Sequence, residues 1–341
     1  MNRPALINVS QVVSRLEAAQ RVLITTHTRA DGDAIGSAAG LARLLAGRGA
    51  SVAVMLHEPV PERYAFLTAT QPCDVWEDAG IAERLSACDL LVIVDTCATM
   101  QLGKLPAALA EARVATVAID HHVTRDPIVD AAWVDERAAA CAQMIADLCD
   151  AAGWAMPPDV ATLLFSGLAT DTGWYRFSNT DARVHETAAR LVARGARPNE
   201  LYERLYLNEP PARARLLGEV FSSFELLAGG RLAVIRVTQA MLQRSGATRA
   251  MTEDLINEPQ RVGSVVACVM AVEPEPGEPV RVSLRSKRDV NVAHVASQFG
   301  GGGHERASGV RITGAFEEVV ARVTDAVIRA LDEAATAGGG A

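Results

Sequence analysis

The chain has 341 residues, 49% of them apolar and 22% charged, with a formal net charge of −8. That length suggests about two domains, and the composition is that of an ordinary globular protein with no apolar run long enough to span a bilayer. The charge excludes the broad basic surface that grips long nucleic acid: residues 1–225 carry 20 Lys+Arg against 28 Asp+Glu, and residues 226–341 carry 13 against 13.

Arg21–Thr26 is a short β-branched run, followed by a helical stretch from Ala34 to Gly47. Ser51–Met55, Asp89–Val94 and Val114–Ile119 are further strands, the last two with a helix between them. Near-continuous apolar strands alternating with helices predict an α/β fold with a mostly parallel sheet flanked by helices. Helices are then expected over Glu136–Gly153, Pro157–Thr170, Asp181–Gly195 and Pro210–Leu227. Leu232–Val237, Val262–Val272 and Val280–Leu284 read as strands, Gly300–Gly303 as a Gly-rich loop, and a last helix starts near Ala315. Met1–Val9 lacks the basic start and apolar stretch of a signal peptide, so a cytoplasmic location is expected. The six cysteines (Cys73, Cys88, Cys97, Cys141, Cys149 and Cys268) form no C-x-x-C pair and are read as small core residues.

Four sets of polar residues fall at strand or helix ends. His27, Asp31 and Asp33 stand in T-H-T-R-A-D-G-D directly after the first strand, with Gly32 read as the residue that lets the backbone turn between the two carboxylates. One imidazole and two carboxylates on one short loop suit a divalent ion such as Mn²⁺, but the two aspartates equally suit helix capping. Asp95 ends D-L-L-V-I-V-D, where an open α/β sheet places its ligands, though a turn aspartate would look the same. Asp120, His121 and His122 follow the strand Val114–Ile119, and adjacent histidines cannot both face a core. A solvated pair is the alternative there. Asp171 lies in A-T-D-T-G-W-Y-R-F-S-N-T.

These motifs, in this order, resemble the DHH phosphoesterase family. S-L-R-S (283–286) and F-G-G-G-G-H-E-R-A-S-G (299–309) are similar to its DHHA1 domain. The resemblance implies a DHH catalytic domain over 1–195, a helical linker over 196–230 and a smaller α/β DHHA1 substrate-binding domain over 231–335. It also implies two divalent cations, with Mn²⁺ expected. One would take His27, Asp31 and Asp95; the other Asp33, Asp95, His121 and Asp171. His122 would contact the scissile phosphate or leaving oxygen, and Asp120 would orient a histidine or its loop. Recognition would fall to Arg285, Ser286, Gly301, Gly302, Gly303, His304 and Arg306, with Arg176 added from the first domain.

Within the family, the likeness is to the stand-alone nanoRNA oligoribonuclease and pAp phosphatase group and to soluble cyclic di-AMP and pApA phosphodiesterases. Expected substrates are oligoribonucleotides of two to five nucleotides, pApA, cyclic di-AMP or 3′-phosphoadenosine 5′-phosphate. Long nucleic acid and membranes are not expected partners, and a homodimer is expected from the resemblance alone. Two other readings compete. A manganese inorganic pyrophosphatase would share the metal core but has no use for G-G-G-G-H; a non-catalytic nucleotide sensor should have lost ligands, yet all six positions are filled. His57, His185 and His294 lie outside these motifs and are read as surface or capping residues.

Overall fold

The structure, a computed structural model, describes residues 4–77, 80–123, 125–287 and 290–338. The chain divides into two compact units, Met1–Asn208 and Glu209–Ala341. In the first, the elements run β1 (Ala5–Leu6), α1 (Val9–Ala18), β2 (Arg21–Thr25), α2 (Gly32–Ala46), β3 (Ser51–Leu56), β4 (Cys73–Val75), α3 (Ile81–Ala87), β5 (Leu90–Val94) and α4 (Leu105–Glu111). They continue with β6 (Ala115–Asp120), β7 (Ala131–Val134), α5 (Cys141–Ala151), α6 (Pro158–Asp171), α7 (Ala182–Ala193) and α8 (Pro198–Tyr206).

The seven strands form a parallel sheet in the order β1-β7-β6-β5-β2-β3-β4. Alternate residues of the apolar strands feed opposite cores. In β5, Leu90, Val92 and Val94 face the core that includes Ile35 of α2 and Ile145 of α5, while Leu91 and Ile93 join Leu85 of α3 and Leu105 of α4. Both faces are therefore covered, which is why these strands read as unbroken apolar runs. The chain winds β2-β3-β4 to one side, then returns beside β2 to build β5-β6-β7 on the other. The carboxyl ends of β2 and β5 thus flank a topological switch point, where such sheets open a crevice.

The second unit comprises α9 (Pro211–Ser222), β8 (Glu225–Leu227), β9 (Leu232–Val237), α10 (Gln239–Ser245), β10 (Ala267–Val272), β11 (Val280–Ser286), α11 (Val292–Ser297), β12 (Gly302–His304), β13 (Ala307–Ile312) and α12 (Phe316–Gly338). Its sheet is mixed, in the order β12-β13-β11-β10-β9-β8, with only β9 and β10 parallel among its paired strands. One face packs Val282, Leu284 and Val269 on Val295 of α11 and Val323 of α12; the other packs Ile235 and Met270 on Leu216 of α9 and Leu242 of α10. Of the segment expected as a linker, α8 falls in the first unit and α9 in the second.

Several expected boundaries move. The helix expected from Glu136 begins only at Cys141, and the one expected to reach Leu227 stops at Ser222, after which Glu225–Leu227 pairs with β9 as an edge strand. The strand expected from Val262 starts at Ala267, because residues 262–266 are still turning before the ladder with β9 forms. The expected Gly loop is in part a strand: Gly302–His304 pairs antiparallel with β13. All six cysteines are free, with Cys73 and Cys88 half-buried and the other four buried. Among the described residues, no helix is long and apolar enough to cross a membrane.

Candidate active site

Five segments deliver carboxylates and imidazoles to the crevice. His27 follows β2 and Asp95 follows β5; Asp120 ends β6, with His121 and His122 directly after it. Asp31 and Asp33 open α2, and Asp171 closes α6.

Asp31 is the N-cap of α2: its Oδ1 accepts from the amides of Asp33 and Ala34, each at 3.0 Å. Capping occupies one oxygen, and Asp31 also forms a donor group with His27 and Asp95 whose ligand atoms all lie within 4.8 Å. The capping and ligand readings therefore coexist at this residue. Asp33 is buried and reaches a different helix. Its Oδ2 accepts from Cys141 N at 2.6 Å and its Oδ1 from Ala142 N at 2.9 Å, so it caps α5 across the fold. Two helix N-termini thereby offset part of the repulsion between converging carboxylates.

Gly32 does not make the turn expected of it. It is the first residue of α2, and a Cβ there would lie 2.5 Å from the Thr170 hydroxyl. At Gly36 a Cβ would meet the Leu163 carbonyl at 2.5 Å, and at Gly40 the Leu164 side chain at 2.8 Å. The three glycines are four residues apart, on one face of α2, and let α6 approach closely enough to bring Asp171 beside Asp33.

Asp95 adopts a left-handed backbone with φ 64°, and its amide donates to Ile119 O at 2.9 Å. Its Oδ2 lies 3.4 Å from His27 Nε2 and its Oδ1 3.2 Å from His121 Nε2. His121 Nε2 is also 3.7 Å from Asp171 Oδ2 and 4.0 Å from Asp33 Oδ2. Both imidazoles are held from behind: His27 Nδ1 donates to Thr28 O at 2.8 Å and His121 Nδ1 to Ala138 O at 3.1 Å. A carbonyl on Nδ1 holds that nitrogen's hydrogen and aims Nε2 at the cluster, where a bound cation would take its lone pair, as in metal-binding histidines. Among the described residues, His121 Nε2 and Asp95 Oδ1 are buried with no hydrogen-bond partner. Two mutually facing unsatisfied atoms, in an imidazole and carboxylate set, fit a bound cation.

His122 is arranged otherwise. Its Nδ1 donates to Asp120 Oδ1 at 2.8 Å, and its side chain is 44% exposed. It forms a donor group with Asp95 and His121, its Nδ1 lying 3.9 Å from Asp95 Oδ1, but the bond to Asp120 occupies that nitrogen.

The pKa directions describe a charge-saturated site. Burial raises Asp33 well above the usual carboxylate range, with the charges of Asp95 and Asp171 adding to it. Burial and Asp95 push Asp171 up to about 7. Burial opposes the ionised forms of Asp95, His27 and His121, but the close approach of their opposite charges, at 3.4 and 3.2 Å, wins. Asp95 falls to about 2, while His27 rises to about 9 and His121 to about 10. The Asp120 hydrogen bond raises His122.

Of the expected recognition residues, Arg176 belongs to the first unit and the others to the second. Arg176 is exposed on the turn after Asp171, its Nε donating to Gly173 O at 2.6 Å. In the second unit, Arg281, Ser283 and Arg285 alternate with the buried Val280, Val282 and Leu284 of β11. Burial lowers the Arg285 pKa, opposed by Asp254, and its Nη1 donates to Leu284 O at 3.1 Å. Ser286 is buried, its hydroxyl donating to Val290 O at 2.6 Å. Arg306 lies in the β12–β13 turn and donates to Val290 O at 3.2 Å, and His304 is exposed on β12. Gly301 and Gly303 are required by the neighbouring strand: a Cβ would lie 2.4 Å from Gly309 O and 2.6 Å from Ala307 O, whereas Gly302 is open. Of the other histidines, His57 is half-buried after β3, His185 stacks on Tyr175 and His294 lies in the first turn of α11. The residues that sequence reasoning missed are those that brace the site, Gly36, Gly40, Gln143 and Asn179. Of these, only the four-residue glycine spacing left a signal.

A parallel sheet with imidazoles and carboxylates converging at its switch point, in a chain with a second mixed-sheet unit, defines a metal-dependent phosphoesterase. The DHH family N-terminal domain matches residues 21–168 and the DHHA1 domain residues 230–333. The chain belongs to the DHH/DHHA1 family. It is 33% identical to the bifunctional oligoribonuclease and PAP phosphatase NrnA of Thermus thermophilus, over 94% of each chain. It is 26% identical to the protein of that name from Bacillus subtilis, over 89% of this chain and 93% of that one. Its fold is that of an exopolyphosphatase-related protein from Bacteroides fragilis, with a TM-score of 0.88, 21% identity and coverage of 94% and 95% of the two chains.

Proposed function

We propose that this enzyme hydrolyses phosphate esters of very short ribonucleotides in the cytoplasm. Its substrates would be RNA of two to five nucleotides, pApA, cyclic di-AMP and the phosphate of 3′-phosphoadenosine 5′-phosphate. The observation that carries the proposal is the facing pair of unsatisfied atoms, Asp95 Oδ1 and His121 Nε2, within a ring of three further carboxylates and His27. His27, Asp31 and Asp95 would hold one divalent cation, and Asp33, Asp95, His121 and Asp171 a second, with Mn²⁺ suited to the mixed nitrogen and oxygen donors. Bound there, the cations supply an activated water and charge stabilisation for displacement at phosphorus. His122 presents Nε2 to the phosphate or leaving oxygen, and Asp120 holds its other nitrogen so that the ring keeps one orientation.

Recognition is assigned to the second unit. Arg285 offers a planar fork for a phosphate, and His304, Arg306 and the open Gly302 lie at the nearby edge of the same sheet. Ser286, also assigned to recognition, holds this end of β11 through its bond to Val290. The names of the relatives from Thermus thermophilus and Bacillus subtilis, both oligoribonuclease and PAP phosphatase, support this substrate class. The test is turnover of 3′-phosphoadenosine 5′-phosphate, pApA, cyclic di-AMP and 5′-labelled RNA two- to seven-mers, side by side with Mn²⁺. Rates should fall with RNA length; equal or rising rates towards the seven-mer would refute the preference for short substrates.

A further inference from the structure

Asn179, in the segment joining α6 to α7, belongs to no donor group, yet its side chain touches two arms of the site. Its Nδ2 donates to Ala139 O and to Asp171 O, each at 3.2 Å. Both partners are carbonyls, so the amide nitrogen is the atom that faces them, and both of its hydrogens are used.

Each contact leads directly to a cation donor. Ala139 adjoins Ala138, whose carbonyl fixes His121 Nδ1, and the Ala139 amide is held in turn by the buried Gln143 Oε1 at 2.8 Å. Asp171 is the last residue of α6, with Oδ2 3.7 Å from His121 Nε2. After Asp171 the chain leaves the helix through three left-handed residues, Gly173, Trp174 and Tyr175, at φ 55°, 58° and 61°. Two of these are not glycine, so the excursion is strained and persists only where the surrounding structure holds it. Thr172 holds the turn locally, accepting from the amides of Tyr175, Arg176 and Phe177, while Asn179 joins the loop behind His121 to the helix end that carries Asp171. Neither bond reaches His27 or Asp31.

We infer that Asn179 is a positioning residue specific to the second cation group, Asp33, His121 and Asp171, and neutral to the group of His27, Asp31 and Asp95. The inference rests on the two-cation reading above. Its test is Mn²⁺ titration by calorimetry and by the electron paramagnetic resonance of free Mn²⁺, on wild type, Asn179→Ala and Asn179→Gln. Thermal unfolding of each in EDTA runs alongside. In Asn179→Ala one Mn²⁺ affinity should weaken by about 10–100-fold, as when a metal ligand loses its support, while the other stays at its wild-type value. Asn179→Gln should recover part of the loss, and metal-free unfolding should change little. Unchanged affinities, or an equal loss at both sites alongside a lower metal-free Tm, would reduce Asn179 to a structural role. Fewer than two Mn²⁺ on the wild type would overturn the two-cation reading, and this inference with it.

Discussion

Asp95 belongs to two of the three donor groups and contacts both buried imidazoles, so its charge acts on the whole cluster. Asp95→Asn keeps the shape and removes the charge. It should abolish binding of both cations and lower turnover by at least ~1,000-fold, since cation stabilisation of the transition state is worth several kcal/mol. A variant that still binds two Mn²⁺ with wild-type affinity would show that Asp95 is not shared. The protonation of the cluster gives a second outcome. Without cations at pH 7, His27 and His121 hold protons because their pKa values lie near 9 and 10, and Asp171, near 7, is about half protonated. Cations must displace these protons. Binding at pH 7 should therefore release protons, and apparent affinity should rise with pH from below 7 towards 10. Titration calorimetry in buffers of different ionisation enthalpy counts the release; heats independent of the buffer would contradict the protonated cluster.

At the scale of elements, α2 and α6 set the distance between Asp33 and Asp171 through glycines. Gly36→Ala gains about 1 kcal/mol of helix propensity but drives a Cβ into the Leu163 carbonyl, and backbone cannot swing aside. Overpacking of this kind costs ~1–3 kcal/mol, so unfolding should shift to lower temperature and cation affinity should fall as Asp33 is displaced. Gly218→Ala in α9 is the control: nothing lies within 4 Å of its Cβ, and stability should be kept or slightly raised. The same elements show what a sequence reveals. β2, β5 and β6 were legible because burial on both faces writes an unbroken apolar run, and the ligand-bearing residues follow such runs directly. The start of α5 was not legible. Glu136–Ala140 continues its helical pattern, but the α5 cap is Asp33, more than a hundred residues away, and the intervening carbonyls of Ala138 and Ala139 serve His121 and Asn179 instead of a helix. Gly32 misled for a related reason: its spacing from Asp31 suggests a turn, whereas its partner, Thr170, is distant in the chain.

Over the whole molecule, the charge distribution limits what the second unit can do. Residues 226–341 balance 13 basic against 13 acidic side chains, and the remainder is acidic, so the chain carries no excess of positive charge for a long polyanion. On the proposed reading binding rests on a few directed contacts, among them Arg285, a half-buried fork on the outward-alternating side of β11. Arg285→Ala should raise KM about tenfold or more for short RNA, leaving kcat and Mn²⁺ stoichiometry near wild type, because the residue belongs to the other unit from the cation cluster. Arg285→Lys should recover the charge but only part of the affinity, since an ammonium cannot pair two phosphate oxygens. Salt dependence separates this from a diffuse basic surface. Single-stranded RNA loses about 0.7 in log–log slope per neutralised phosphate, so one gripped phosphate gives a slope near −0.7 that Arg285→Ala should remove. A slope several times steeper, unchanged in the variant, would instead mean a charged track spread over many side chains.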